Sequence, residues 1–290
     1  LLAFNAHWYS LTMSLRFAEL SVPFSAATVL YHSDLTVLRS TLQSLKLAVL
    51  SLGEVVPLTV VDQSLNEDYS AAARALCESV VFESTLELRF ITAERNGGYG
   101  AGHNLALCET LGNFHLILNP DVELEPSALI VAITTLTQHT NIVLLAPRGQ
   151  NDRDQEEYLA KRYPTLWVLM LRAFGSASLK HRFERQLARY ELRDLSDEPG
   201  PQDVPLVSGC CMVVRGAALR DVQGFDEHFF MYFEDYDLSL RLAKLGRVVR
   251  EPRMRIVHHG GNTAGKGLRH IMLFAGGAIR FFSRWGWRLF

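Results

Sequence analysis

Short apolar runs of strand length alternate with helical segments through the first half of this chain, and few folds accommodate that alternation. Ala27–Tyr31, Leu58–Asp62, Leu86–Thr92, Phe114–Leu118 and Ile142–Ala146 read as strands. Behind Asp34, an N-cap residue, Leu35, Leu38, Leu42 and Leu45 share one helical face. A second helix is expected near Tyr69–Cys77. A glycine-rich turn, Asn96–Gly102, leads into a third that runs to Gly112, and Pro126 stands where a fourth would begin. Repeated strand–helix units predict an α/β fold with a mostly parallel central sheet and helices on both faces.

The second half breaks the rhythm. Residues 148–205 are rich in both charges and end in Pro199-Gly200-Pro201. They lack a sizeable apolar core and read as a helical and loop insertion. Leu206–Val214 returns to strand. Asp235–Leu245 is expected as a helix with Leu238, Leu242 and Leu245 inward, closed by Gly246. Met254–His258 is the last strand expected, and 268–290 is a C-terminal helix. Residues 1–23 read as an N-terminal extension and 24–267 as one catalytic domain.

Composition excludes several classes. With 48% apolar and 21% charged residues, the 290-residue chain is neither disordered nor fibrous. No run of about 18 apolar residues predicts a transmembrane helix. Leu1–Leu20 lacks the basic start and unbroken apolar centre of a signal peptide, and Met13 is a candidate start. Cys77, Cys108, Cys210 and Cys211 have no metal-ligand spacing and read as reduced core residues, so the expected location is cytoplasmic. From Arg247 onward nine basic residues face the single acid Glu251, a tail of +8 on a body of −10. Such a tail points to an anionic partner. Nucleic acid is not expected.

Two phosphate-loop readings fail on one residue each. Gly98-Tyr99-Gly100 opens like a dinucleotide fingerprint, but His103 stands at the third glycine position. Gly260–Lys266 resembles a P-loop, but Gly267 replaces the hydroxyl residue that would hold Mg²⁺. Three other features carry more. Asn119-Pro120-Asp121 ends a strand, where ligands bind in open α/β sheets and a carboxylate can hold a divalent cation. Alone it is also good turn chemistry. Phe230–Asp237 sets acids behind aromatics at a helix start, either complementing the helix dipole or poising a general base. His258-His259 closes a strand, and only one of the two can face the Asp121 site. Together they fit one metal-assisted site.

In this order the motifs resemble inverting family 2 glycosyltransferases of the GT-A fold, and most of all bacterial rhamnosyltransferase-like enzymes of surface-polysaccharide assembly. The resemblance runs from about Ala26 to Gly267. It rests on Tyr31-His32-Ser33, Val60-Val61-Asp62-Gln63-Ser64, Asn96–Asn104, Asn119-Pro120-Asp121, Val207-Ser208-Gly209, Gly224-Phe225-Asp226-Glu227, Glu234-Asp235 and His258. His32, Gln63 and His103 each stand where the family pattern has Asn, near the expected nucleotide pocket.

The resemblance implies a nucleotide-diphospho-sugar transferase fold and assigns roles. Asp235 would be the base, with Glu234 and Gly209 toward the acceptor. Tyr31, Asn96 and Gly102 would line the nucleoside pocket. Asp62 would accept from the imide of uracil or thymine, and Asn119 would support the cation or a ribose hydroxyl. Lys266 would meet the diphosphate. Asp121 and His258 would bind Mg²⁺ or Mn²⁺. The expected donor is a dTDP- or UDP-sugar, with dTDP-rhamnose favoured, and the acceptor a saccharide, free or lipid-linked. Two other classes compete: a sugar-nucleotide nucleotidyltransferase, which wants a glycine-rich basic loop on the first strand, and an inactive glycosyltransferase-like binding module. On the C-terminal helix, Arg280, Arg284 and Arg288 form a basic stripe, with Phe281, Phe282, Trp285 and Leu289 around the other sides. That pattern fits either a helix lying at the inner membrane face or one packed on the catalytic domain.

Overall fold

A computed structural model describes residues 20–260 and 268–290. The elements run β1 (Leu20–Leu30), α1 (Leu35–Leu50), β2 (Val56–Asp62), α2 (Glu67–Val81), β3 (Leu86–Thr92), α3 (Tyr99–Glu109), β4 (Leu111–Leu118), β5 (Val122–Leu124), α4 (Ala128–Gln138) and β6 (Ile142–Gln150). The insertion follows as β7 (Glu156–Glu157), β8 (Ala160–Lys161), α5 (Leu166–Phe174), α6 (Ala177–Arg182), α7 (Glu184–Tyr190) and β9 (Gln202–Asp203). Then come β10 (Leu206–Val207), β11 (Cys211–Arg215), α8 (Gly216–Asp221), α9 (Glu234–Leu242), β12 (Arg247–His258) and α10 (Leu268–Trp285).

The main sheet has the order β3-β2-β1-β4-β11-β6-β12-β5. β1, β2, β3 and β4 pair in parallel, as do β6 and β12, while β11 runs antiparallel between β4 and β6. The expected strand–helix alternation is thus realised in the first half, because each helix lays one apolar face on the sheet. On α1 that face is Leu38, Leu42, Leu45 and Val49, all fully buried. Asp34 caps the same helix, accepting from the N–H groups of Thr36 and Val37 at 2.7 and 3.3 Å.

Several expected bounds change. The third helix stops at Glu109, so Leu111 and Gly112 open β4, and the last strand starts at Arg247 rather than Met254. The single strand Leu206–Val214 is two, β10 and β11, because Gly209 turns the chain between them. The Asp235–Leu245 helix runs Glu234–Leu242; Leu238 and Leu242 are buried, but Leu245 lies past the end and is 49% exposed. Strand β1 begins at Leu20, inside the expected extension, since Leu20 and Val22 still pair with Leu111 and Gly112.

The insertion does build a small core, but with distant partners. Val168, Leu169, Leu171, Leu187 and Tyr190 pack with Phe229, Phe233, Ala278, Phe281 and Phe282. This decides one face of α10: Phe281 and Phe282 are fully buried against protein. The three-arginine stripe is broken as well. The helix ends at Trp285 and Gly286 takes φ 106°. Arg288 instead lies over the Tyr163 ring at 4.2 Å, and Arg284 pairs with Asp226 at 2.8 Å and Asp237 at 3.1 Å. The outward face of α10 carries Ile271, Met272 and Ile279, all exposed, beside Arg280.

Candidate active site

Two carboxylates are joined through one short turn. After β10 the chain passes through Ser208-Gly209-Cys210. The Gly209 N–H donates to Asp235 Oδ2 at 3.0 Å, and the next residue's carbonyl, Cys210 O, accepts from the Asn119 N–H at 2.8 Å. The start of α9 is thereby tied to the end of β4, which carries Asn119-Pro120-Asp121. Tyr99, opening α3, donates its hydroxyl to Gly209 O at 2.6 Å. Sequence segments about a hundred residues apart meet at the carboxyl ends of the parallel strands.

At the β4 end, Asp121 Oδ1 and Asn119 Oδ1 are buried without a hydrogen-bond partner among the described residues. His258 Nε2, at the end of β12, lies 3.5 Å from Asp121 Oδ1. A Cβ on Gly260 would stand 2.1 Å from Asp121 Oδ2 and 2.9 Å from His258 Nε2, so the glycine leaves a cradle between the two side chains. Among the described residues no group of three His, Cys, Asp or Glu could hold a metal ion by itself. Asp121 and His258 suit a cation that takes its other oxygens from a diphosphate and water, as Mg²⁺ and Mn²⁺ do. Burial disfavours charge on both, but their mutual attraction prevails. The Asp121 carboxyl is held below its usual range, and the Asp121 and Glu157 carboxylates beside the His258 ring lift it to about 9.

Glu157, on β7, has no sequence signal. Its Oε2 lies 2.6 Å from His258 Nδ1, a contact spanning 101 residues that orients the ring toward Asp121. His259 points elsewhere: its Nε2 meets Glu123 Oε1 at 2.8 Å and its Nδ1 meets Asp152.

At the α9 end, the largest effect on both acids is burial, which raises Glu234 and Asp235 above the usual carboxylate range. They differ in partners. Asp235 accepts backbone N–H groups from Gly209 and Tyr236, at 3.0 and 2.8 Å, which favour its anion. Glu234 Oε2 is buried with no partner among the described residues, and the Asp235 charge pushes it further toward the protonated form. The backbone donors therefore favour the anion on Asp235 and the shared proton on Glu234.

The donor-side residues divide. Tyr31 is half exposed at the end of β1. Asn96 accepts the Gly98 N–H at 2.9 Å and shapes the glycine-rich turn. Asp62 is fully buried, and its two oxygens accept the Ser64 N–H and hydroxyl, both at 2.9 Å. A base reaching it requires the Ser64 hydroxyl to yield. Gly102 does not line a pocket: it is buried within α3, and a Cβ there would stand 2.6 Å from Val29 and 2.7 Å from Gln63. Its role is close packing of α3 on β1. Gln63 and His103 likewise face inward. Gln63 accepts the Gly97 N–H at 2.8 Å and donates to Gly98 O at 3.0 Å, bracing the turn. His103 is fully buried between Tyr99 and Phe225, which pushes its ring down to about 3. Asn104 holds the Gly224–Glu227 motif, exchanging bonds with the Phe225 backbone at 2.9 Å each. Lys266 lies outside the described residues.

Comparison with known proteins bears on this arrangement. The family model described as glycosyl transferase family 2 matches residues 25–222, and one described as glycosyl transferase family group 2 matches residues 180–266. An N-acetylglucosaminyl-diphospho-decaprenol L-rhamnosyltransferase of Mycobacterium tuberculosis is 27% identical over 191 residues, covering 62% of this chain and 61% of that protein. The chain thus spans about three fifths of that relative's length. Among solved structures, GalNAc-T7 with UDP, GalNAc and Mn²⁺ superposes with a TM-score of 0.64 at 12% identity, over 91% of this chain and 48% of that one. Residues 1–349 of S. aureus TarS with UDP-GlcNAc superpose at 0.55 and 17% identity, over 90% and 67%. The mostly parallel sheet flanked by helices is the GT-A architecture those neighbours share.

Proposed function

The chain belongs to glycosyl transferase family 2, and from that premise we propose that it transfers a sugar from a nucleoside diphosphate to an acceptor hydroxyl with inversion. The observation that carries this is the Gly209-Cys210 link, which sets a carboxylate suited to taking a proton near one suited to holding a cation. Asp235 takes the proton of the acceptor hydroxyl as its oxygen attacks the anomeric carbon. Neutral Glu234, with its unpartnered oxygen, gives the acceptor a hydrogen bond. The C–O bond to the diphosphate breaks as the new bond forms, so the anomeric centre inverts. Asp121 and, once its Nε2 has given up its proton, His258 would hold Mg²⁺ or Mn²⁺, whose charge would offset that of the leaving diphosphate. The Mn²⁺ in the GalNAc-T7 structure supports a cation in this architecture.

The donor we favour is dTDP-rhamnose and the acceptor a lipid-linked saccharide diphosphate; the name of the mycobacterial relative supports the rhamnosyl group and the lipid-linked acceptor. Tyr31 stacks on the base and Asn96 flanks it. No helix among the described residues is long and apolar enough to cross a membrane. A lipid-linked acceptor is then met at the membrane surface, and the exposed Ile271, Met272 and Ile279 beside Arg280 fit such a contact. A thermal-shift screen of dTDP, UDP and GDP with and without Mn²⁺ tests the donor reading. Stabilisation by a pyrimidine nucleotide that depends on Mn²⁺ is expected; GDP exceeding both others overturns it. Sedimentation with anionic liposomes at low salt tests the surface, and no binding overturns that contact.

A further inference from the structure

The turn that carries the base is held in an unfavourable shape. Tyr232 and Phe233 adopt φ of 72° and 68°, two successive left-handed conformations at bulky residues. Such backbone persists only where its surroundings impose it. Phe233 is the N-cap residue of α9, and its carbonyl accepts the Asp237 N–H at 2.9 Å. A change at Phe233 therefore moves the first turn of α9, with Glu234 and Asp235 on it.

Two glycines grip this turn from opposite partners. On the donor side, a Cβ at Gly98 would stand 2.0 Å from Phe230 O, and the Tyr99 N–H donates to that same oxygen at 3.2 Å. On the other side, a Cβ at Gly277 of α10 would stand 2.8 Å from Tyr232 O and 3.2 Å from the Phe233 ring. The Tyr232 hydroxyl meets His270 Nδ1 at 3.0 Å, and the Phe233 ring packs on Phe274 and Phe281. A Cβ on the neighbouring Gly276 would meet no other element within 4 Å among the described residues. A glycine inside a helix weakens it relative to alanine. At Gly277 close approach of the turn's backbone accounts for the residue; at Gly276 nothing in its surroundings does.

We propose that α10 is a positioning element of the catalytic centre, and that Gly277 is the residue through which it holds the Tyr232-Phe233 turn and hence Asp235. The proposal rests on the reading of Asp235 as base. It makes the C-terminal helix part of the turnover machinery, apart from any contact its outer face makes with a membrane.

Paired alanine variants in the full chain test this, with turnover read as nucleoside diphosphate released from dTDP-rhamnose or from the UDP-sugar selected by the nucleotide screen. Gly277→Ala is expected to lower kcat about 10- to 100-fold, the scale of a misplaced reacting group, with nucleotide Kd unchanged. The acid limb of its pH–rate profile should also be displaced. Gly276→Ala should raise Tm and keep kcat within about twofold. Asp235→Asn run alongside separates the two readings. If Asp235→Asn turns over normally, the base reading fails; if it is dead while Gly277→Ala is normal, the role of α10 alone is overturned. Should Gly277→Ala fail to bind nucleotide, Tyr232→Phe decides, since it removes the His270 bond without adding volume. Reduced kcat at unchanged nucleotide Kd supports the proposal, and wild-type kcat overturns it.

Discussion

Asp121 and Asp235 lie on either side of the Gly209-Cys210 link, yet their surroundings drive their protons in opposite directions. Burial works against charge on Asp121, but the His258 ring beside it outweighs that cost, so the carboxyl is held below its usual range. Asp235 has no cation among its partners in the described residues. Burial dominates there, and the backbone N–H groups of Gly209, Tyr236 and Asp235 itself temper it. A carboxylate locked in its anion suits a cation ligand. One lifted toward neutrality can accept a proton and give it up again. The residue type is the same, and the environment assigns the task.

The sharpest break of this contrast is Asp235→Asn. It keeps the shape and removes the proton acceptor, so turnover is expected to fall about 100- to 10,000-fold, the range of general-base catalysis. Nucleotide binding, measured by thermal shift, should be unaltered. A variant with normal turnover would place the base elsewhere. Asp121→Ala should act in the reverse sense, weakening nucleotide binding and abolishing its dependence on Mn²⁺ in calorimetric titrations. Unchanged metal dependence would remove Asp121 from the cation site.

Glu157 sharpens the metal end. Glu157→Ala leaves His258 Nδ1 without its partner, and Mn²⁺ affinity in the presence of nucleotide should fall about tenfold. Glu157→Gln retains an acceptor and should recover most of it. Equal affinity in all three proteins would reduce Glu157 to a strut between insertion and sheet.

The base end is tested by pH. Asp235 must be ionised and Glu234 protonated, and both titrate above the usual carboxylate range. A bell-shaped kcat/KM profile follows, rising with pH through Asp235 and falling through Glu234. Glu234→Gln should flatten the alkaline side and leave the acid side in place. Loss of the acid side instead would make Glu234 the base. The same raised values mean that the folded chain binds these protons more tightly than the unfolded one. Their contribution to stability therefore diminishes as pH rises through them. The smallest effect belongs to His259→Ala: its partners are Glu123 and Asp152 at the surface, and Mn²⁺ affinity should stay within about twofold. A larger loss would mean that the wrong histidine of the pair has been assigned to Asp121.

Much of this was legible from the chain alone. Leu38, Leu42 and Leu45 repeat at helical spacing, Asp34 is a capping residue before them, and Val60-Val61-Asp62 is a buried parallel strand. Each is a local pattern whose period states which side faces the core. Asn119-Pro120-Asp121, Glu234-Asp235 and His258 were recognisable because chemistry-bearing residues stood at predicted element ends. Leu245 was misread because the helical period continued past the point where the chain left the helix.

Other features had no local trace. Nothing near Glu157 marks it as the partner of a histidine 101 residues later. Gln63 and His103 sat in motifs that suggested ligand contact, yet both turn inward, one to brace a turn and one to fill a gap between aromatic rings. Phe281 and Phe282 carried a pattern compatible with lipid or with protein, and the rings of Tyr163, Phe233 and Tyr236, brought from distant segments, decided between them. Periodicity and capping are properties of neighbours in sequence, so the residues by themselves determined the elements, their inward faces and the ends at which a site would form. Proton affinity, ring orientation and the partner of an apolar face depend on what lies across a few ångströms of space, and for this protein the folding of distant segments onto one another decided them.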